Sequence, residues 1–110
     1  MNQTILKQCT AEFIGTFALI LVGIGAIFSS TLAPGDGLVG VALAQGLTIA
    51  VMVSATGAIS AGHLNPAVTF GLLVGGQINF RRSVAYWIGP MLGGAGAGAN
   101  YGRFLIREDK

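Results

Sequence analysis

The sequence predicts an all-α membrane protein with three spanning helices and one short half-helix. Three observations carry that expectation. Apolar residues fill 53% of the 110 positions and charged residues only 9%, against about 25% charged in a soluble domain. Three apolar runs, at residues 9–30, 38–58 and 83–106, reach the roughly 20 residues that a crossing helix needs. A fourth apolar segment, 66–74, is too short to cross.

The first run resembles an export signal only in its position. It is about 20 residues long, carries Glu12 near its start and lacks a short core with a cleavage pattern, so it is expected to stay as a span. Cys9 opens it. As the single cysteine it forms no intrachain disulfide, and it serves as a small apolar residue near a helix start. Residues 32–37, with Pro34, Gly35 and Gly37, form a turn by composition. The second run sets Ala42, Gly46, Ala50, Ser54 and Ala58 four apart, and the third does the same with Gly94, Gly98 and Gly102. Small residues at that spacing let helix backbones approach closely, so both stripes are expected to be packing seams. The 18 glycines with only 3 prolines fit such helices and exclude collagen and Pro-rich disorder.

The short segment has its own punctuation. Asn65 suits an N-cap, because its side-chain oxygen can accept a free backbone N–H of the first turn. Pro66 suits the first helical position, where its missing N–H costs nothing. Gly75-Gly76 suits a C-terminal stop. A helix of that length spans about 15 Å, half of a hydrocarbon core about 30 Å thick. Asn65 is therefore expected near the midplane, with the chain returning to the face it came from. The irregular stretch 57–64 leading to it is tolerated at that depth only where protein buries it or where it lines a watery cavity.

Several function classes are excluded. The net charge is +2 and no basic stripe marks a nucleic-acid surface. One His and one Cys make no metal cluster, and no cofactor is expected. No acid–base pair and no nucleophile with a base point to an enzyme.

The segment Ser60-Ala61-Gly62-His63-Leu64-Asn65-Pro66-Ala67-Val68-Thr69 resembles the first signature of the aquaporin and glycerol-facilitator family. Ala11-Glu12-Phe13-Ile14-Gly15-Thr16 resembles that family's first helix, and residues 40–48 its second, in the family's order and spacing. The resemblance implies one of the two inverted repeats of that fold, with residues 1–110 as a single aquaporin-like half. Three departures stand out. Ala61 replaces a glycine common in the segment. Gln45 stands where water-selective members often carry an aromatic residue. Tyr86-Trp87-Ile88-Gly89-Pro90 looks more like the last helix of the second repeat. A fragment, a natural half and a hybrid of the two repeats all fit this pattern.

The resemblance implies a passive channel for water and small neutral solutes such as glycerol, in a bacterial inner membrane or a plasma membrane. The pore motif is Asn65, Pro66 and Ala67. The carbonyls of Gly62, His63 and Leu64 extend a line of acceptors toward Asn65. Glu12 holds the loop from behind, and His63 braces the loop or lines the pore. A single half-helix fills half the membrane depth, so a second, inverted copy is expected to supply the other half. Lys7, Arg81 and Arg82 on one face balance Arg103, Arg107 and Lys110 on the other, which suits insertion in both orientations. Four such pores in a higher homo-oligomer match the family's tetramers. The narrow ring then takes Gln45 from one chain and Val53, Gly62 and Val68 from the other. Val68 stands where the second signature of the family carries an arginine, so the ring is expected to be wider and less polar than a strict water filter. Two other readings fit parts of the sequence. One is a non-conducting fragment or assembly partner of a full-length channel. The other is a small dual-topology, proton-coupled exporter using Glu12, though that class needs four full spans.

Overall fold

The computed structural model describes residues 3–32 and 37–108, and every regular element among them is helical. They form α1 (Gln3–Leu32), α2 (Gly37–Ser60), α3 (Pro66–Val74) and α4 (Phe80–Glu108). The body measures 45 × 30 × 23 Å. Its long axis matches the 30 residues of α1 at 1.5 Å each. The helix begins six residues before the first apolar run, because hydropathy marks the apolar stretch and not the hydrogen-bonded ladder. The turn expected at 32–37 lies, apart from its end residues, outside the described residues.

α1 is the centre of the bundle, packed on α2 and on α4, while α4 also packs on α3. Its pairing with α4 is parallel. A Cβ at Gly89 would lie 2.5 Å from the Cys9 carbonyl oxygen, one at Gly93 would overlap the Phe13 carbonyl, and the Tyr101 hydroxyl donates to the Leu21 carbonyl at 2.7 Å. The pairing with α2 is antiparallel, since Ser60 meets Glu12 while Gln45 meets Gly23. Lys7, Arg81 and Arg82 therefore sit at one end of the bundle and Arg103 and Arg107 at the other. Lys110 lies outside the described residues.

The α4 seam differs from the expected stripe. Gly89 and Gly93 press against the α1 backbone, and Gly96 faces the Phe17 ring. Gly94 meets only side chains at about van der Waals distance, and Gly98 and Gly102 face open space. A four-residue spacing marks a stripe but not which stripe turns inward. The α2 stripe is a sharper case. Ala42, Gly46, Ala50, Ser54 and Ala58 are all exposed, and only Thr56 and Ser60 of α2 are buried. The α2 seam is thus unoccupied within one chain.

Large apolar side chains cover the outside, among them Leu38, Val39, Leu47, Val51 and Val74. A soluble monomer does not expose apolar surface on this scale. By length and hydropathy α1 from Thr4 and α2 are candidate membrane spans. The expected third span, 83–106, lies within α4, whose 29 residues suffice in length. Its many glycines keep it below the hydropathy of the other two. Pro90 is fully buried inside α4 and cannot donate to the Tyr86 carbonyl four residues back.

Candidate functional site

α3 is defined at both ends by its sequence. Asn65 is extended (φ −156, ψ 126), and its Oδ1 accepts the Ala67 N–H at 2.8 Å. Pro66 takes the first helical turn. At the other end Gln77 N–H donates to the Leu72 carbonyl at 2.9 Å and Gly76 N–H to Leu73 at 3.1 Å, with Gly76 at φ +75. This is the paired-bond stop that left-handed glycine permits. The N-terminus left between these ends carries about half a positive elementary charge.

The loop before Asn65 is strained. Ala61 (φ 66) and Leu64 (φ 56) both adopt left-handed backbone, at a cost of about 1–2 kcal/mol per non-glycine residue. α1 compensates. Glu12 is fully buried, and its Oε1 accepts the Ser60 hydroxyl at 2.6 Å and the His63 N–H at 3.0 Å. Its Oε2 accepts the Leu64 N–H at 2.5 Å. The Thr16 hydroxyl donates to the Leu64 carbonyl at 3.2 Å, and the Leu64 side chain lies where a Cβ at Gly15 would be. Three α1 residues thus grip one loop residue by its N–H, its carbonyl and its side chain. Thirteen residues, about 20 Å, separate Thr16 from the first residue of α1, so the grip falls near the middle of that helix.

α4 supports the same loop from the other side. The Tyr86 ring lies 4.4 Å from that of His63, and His63 Nδ1 and buried Thr69 Oγ1 share a hydrogen bond of 2.9 Å. The Trp87 indole donates to the Pro66 carbonyl at 3.2 Å and packs edge-on against Phe80.

In front of the loop runs a groove of about 250 Å³, room for several waters at about 30 Å³ each. Leu19, Ile49, Val53 and Val68 form its apolar walls, and Gly62, His63, Leu64 and Asn65 its irregular edge. Gly62 (φ +67) is pressed on Val53, whose Cα would lie 3.3 Å from a Cβ there. With Oδ1 engaged, the Asn65 Nδ2 group has no protein partner among the described residues.

Six of the sequence-predicted residues therefore meet at one groove. Ala67 is exposed and Pro66 half-buried in the first turn of α3. Glu12 stands behind the loop. Gln45 is absent from the groove lining and instead rests its amide on Gly23. Of the three carbonyls expected to face the pore, that of Leu64 is engaged by Thr16. Sequence reasoning missed the bracing roles of Gly15, Thr16, Thr69, Tyr86 and Trp87. Thr16 was findable, because it follows Glu12 by one helical turn and reaches the same loop.

The arrangement matches a known family. The family model described as major intrinsic protein matches residues 1–107. The chain belongs to the major intrinsic protein family. It is 44% identical over 96 residues to Aquaporin Z of Brucella melitensis biotype 1, covering 86% of this chain and 42% of that relative. It is 45% identical over 98 residues to Aquaporin TIP2-1 of Zea mays, covering 84% and 39%. Aquaporin TIP2-1 of Arabidopsis thaliana is 41% identical over 98 residues, again covering 84% and 39%. The chain spans about two fifths of the length of these curated relatives. Family membership and the two apolar helices make this major intrinsic protein an integral membrane protein.

Proposed function

We propose that the chain is one half of a passive channel for water and small neutral solutes such as glycerol, completed by a second copy in inverted orientation. One observation carries the reading. Asn65 presents a free amide N–H₂ at the positive end of α3, beside an apolar-walled groove near the middle of α1. That donor, together with the helix dipole, orients a passing hydroxyl oxygen and repels cations. Two such termini meeting at the midplane close the path to protons.

The path of the chain supports a re-entrant α3. α2 ends beside Glu12, Pro66 lies beside Trp87, and Phe80 shares an apolar pocket with Ile5 and Cys9 near the start of α1. α3 therefore leaves from mid-depth and returns to the end from which α4 departs. Its nine residues cover about 14 Å of a hydrocarbon core about 30 Å thick. An inverted α3 from a second chain fills the remainder. α4 serves as the third span, and the exposed α2 stripe offers a close-packing face for the partner. Lys7, Arg81 and Arg82 toward one end and Arg103 and Arg107 toward the other give little orientational bias. Tags at the C-terminus are then expected on both faces of the membrane, and four such pores per assembly follow the family's habit.

The solute range follows from Val53, Gly62 and Val68. Among the described residues no arginine and no Phe, Tyr or Trp lines this groove, so glycerol-sized solutes pass with water.

The open side of the groove favours one other reading, an inert half that works only beside a full-length channel. Stopped-flow light scattering on proteoliposomes of this chain separates the two. The channel shrinks vesicles faster than empty liposomes under osmotic shock, and Asn65→Asp loses the gain. Shrinkage at the empty-liposome rate supports the inert half.

A further inference from the structure

Gly23 and Gln45 form a layer that the pore motif does not account for. Gly23 is buried in α1, and Gln45 is half-buried in α2. A Cβ at Gly23 would overlap Gln45 Nε2 and lie 2.9 Å from its Cδ and 3.3 Å from its Oε1. The amide therefore points its nitrogen end into the space that Gly23 leaves. Nothing else fixes it, since the Gln45 amide has no hydrogen-bond partner among the described residues. Space holds this side chain, not a bond.

The layer continues the groove. Leu19, four residues before Gly23, and Ile49, four residues after Gln45, both line the groove beside Asn65. Because α1 and α2 run antiparallel, Gly23 and Gln45 come level about 6 Å farther from the loop. Residues four apart share a helix face, so the Gln45 side chain stems from the wall that carries Ile49 and Val53. Only the recess keeps its amide against α1.

We propose that Gly23 is a positioning residue that sets how far the Gln45 amide projects into the solute path. It thereby admits polyol-sized solutes past that layer. This deepens the channel reading and rests on it. A methyl group at residue 23 meets the far end of a flexible side chain, so Gln45 swings aside without parting the helices. The face it shares with Ile49 directs the displaced amide into the groove. There it takes up width, while its donor and acceptor remain wet enough for water to pass.

The test is a four-protein set in proteoliposomes: unaltered chain, Gly23→Ala, Gln45→Ala and the double variant. Gly23→Ala is expected to lower glycerol permeability relative to water by roughly tenfold, the low end of what one methylene of space decides in a fitted pocket. Gln45→Ala leaves glycerol permeability near that of the unaltered chain, because the amide is already held out of the path, and the double variant behaves as Gln45→Ala alone. A second readout follows the side chain itself. In ¹⁵N-glutamine-labelled protein, the amide resonance that disappears in Gln45→Ala is expected to shift and gain a water cross-peak in Gly23→Ala. An equal loss of glycerol permeability with and without Gln45, or an unmoved amide resonance, overturns the recess. Unaltered chain that passes neither water nor glycerol overturns the channel reading on which the proposal stands.

Discussion

Glu12→Gln tests the α1 grip on the Asn65 loop with almost no change in volume. The carboxylate accepts three bonds, from Ser60, His63 and Leu64. A glutamine has one acceptor oxygen, and its NH₂ group must face a donor wherever it is placed. The milder placement keeps Oε1 toward Ser60 and His63 and turns NH₂ toward the Leu64 N–H. One charge-assisted bond, about 1.5–3 kcal/mol, is then lost and a buried donor is left unmatched. Leu64 also keeps its left-handed backbone cost of about 1–2 kcal/mol with less to offset it. The expected loss is about 2–4 kcal/mol of stability, concentrated in residues 60–65. Hydrogen exchange in detergent or nanodiscs measures it. The His63 and Leu64 amides should exchange faster by about two orders of magnitude, with α1 and α2 slower to respond. Osmotic permeability should fall with them. Unchanged exchange at those two amides would refute the grip.

Three further outcomes follow. Ala61→Gly relieves a residue at φ 66 and is expected to stabilise the chain by about 1 kcal/mol, read by denaturant unfolding in detergent. Gly93→Ala sets a methyl group on the Phe13 backbone, so α1 and α4 must separate. A loss of about 1–3 kcal/mol in the same measurement, with Gly98→Ala near neutral, separates the true seam from the expected one. Ala50→Leu adds bulk to the exposed α2 stripe. It should leave the helix content of the single chain unchanged while weakening association in sedimentation or light scattering.

The local grammar of this chain was legible from its sequence. Asn65, Pro66 and the Gly75-Gly76 pair announce a short capped helix because each residue solves a problem at a helix end. Glu12 is legible as the one acid inside an apolar run, since a buried carboxylate must find donors. What stayed hidden depends on which faces meet. The expected stripe of Gly94, Gly98 and Gly102 lost to Gly89 and Gly93, because spacing fixes a face but packing chooses it. Gln45 shares a face with Ile49, yet its three side-chain torsions let it lean onto α1, which no periodicity encodes. The Leu64 cradle joins residues 48 and 52 positions apart and depends on a backbone angle uncommon for leucine. The third expected span, 83–106, carries a weaker hydropathy signal than the other two, because its glycines contribute little apolar surface.

The central claim, that two copies place their half-helices end to end, is most directly tested by cysteine cross-linking. Ala67 is exposed beside the Asn65 cap, so in an inverted pair two such residues face each other. In a Cys9→Ala background, Ala67→Cys in native membranes should form a covalent dimer on mild oxidation, while a cysteine placed at Val74 should not. Only monomer after oxidation, with the cysteine at residue 67 still free to react with a small thiol reagent, would contradict the inverted pair.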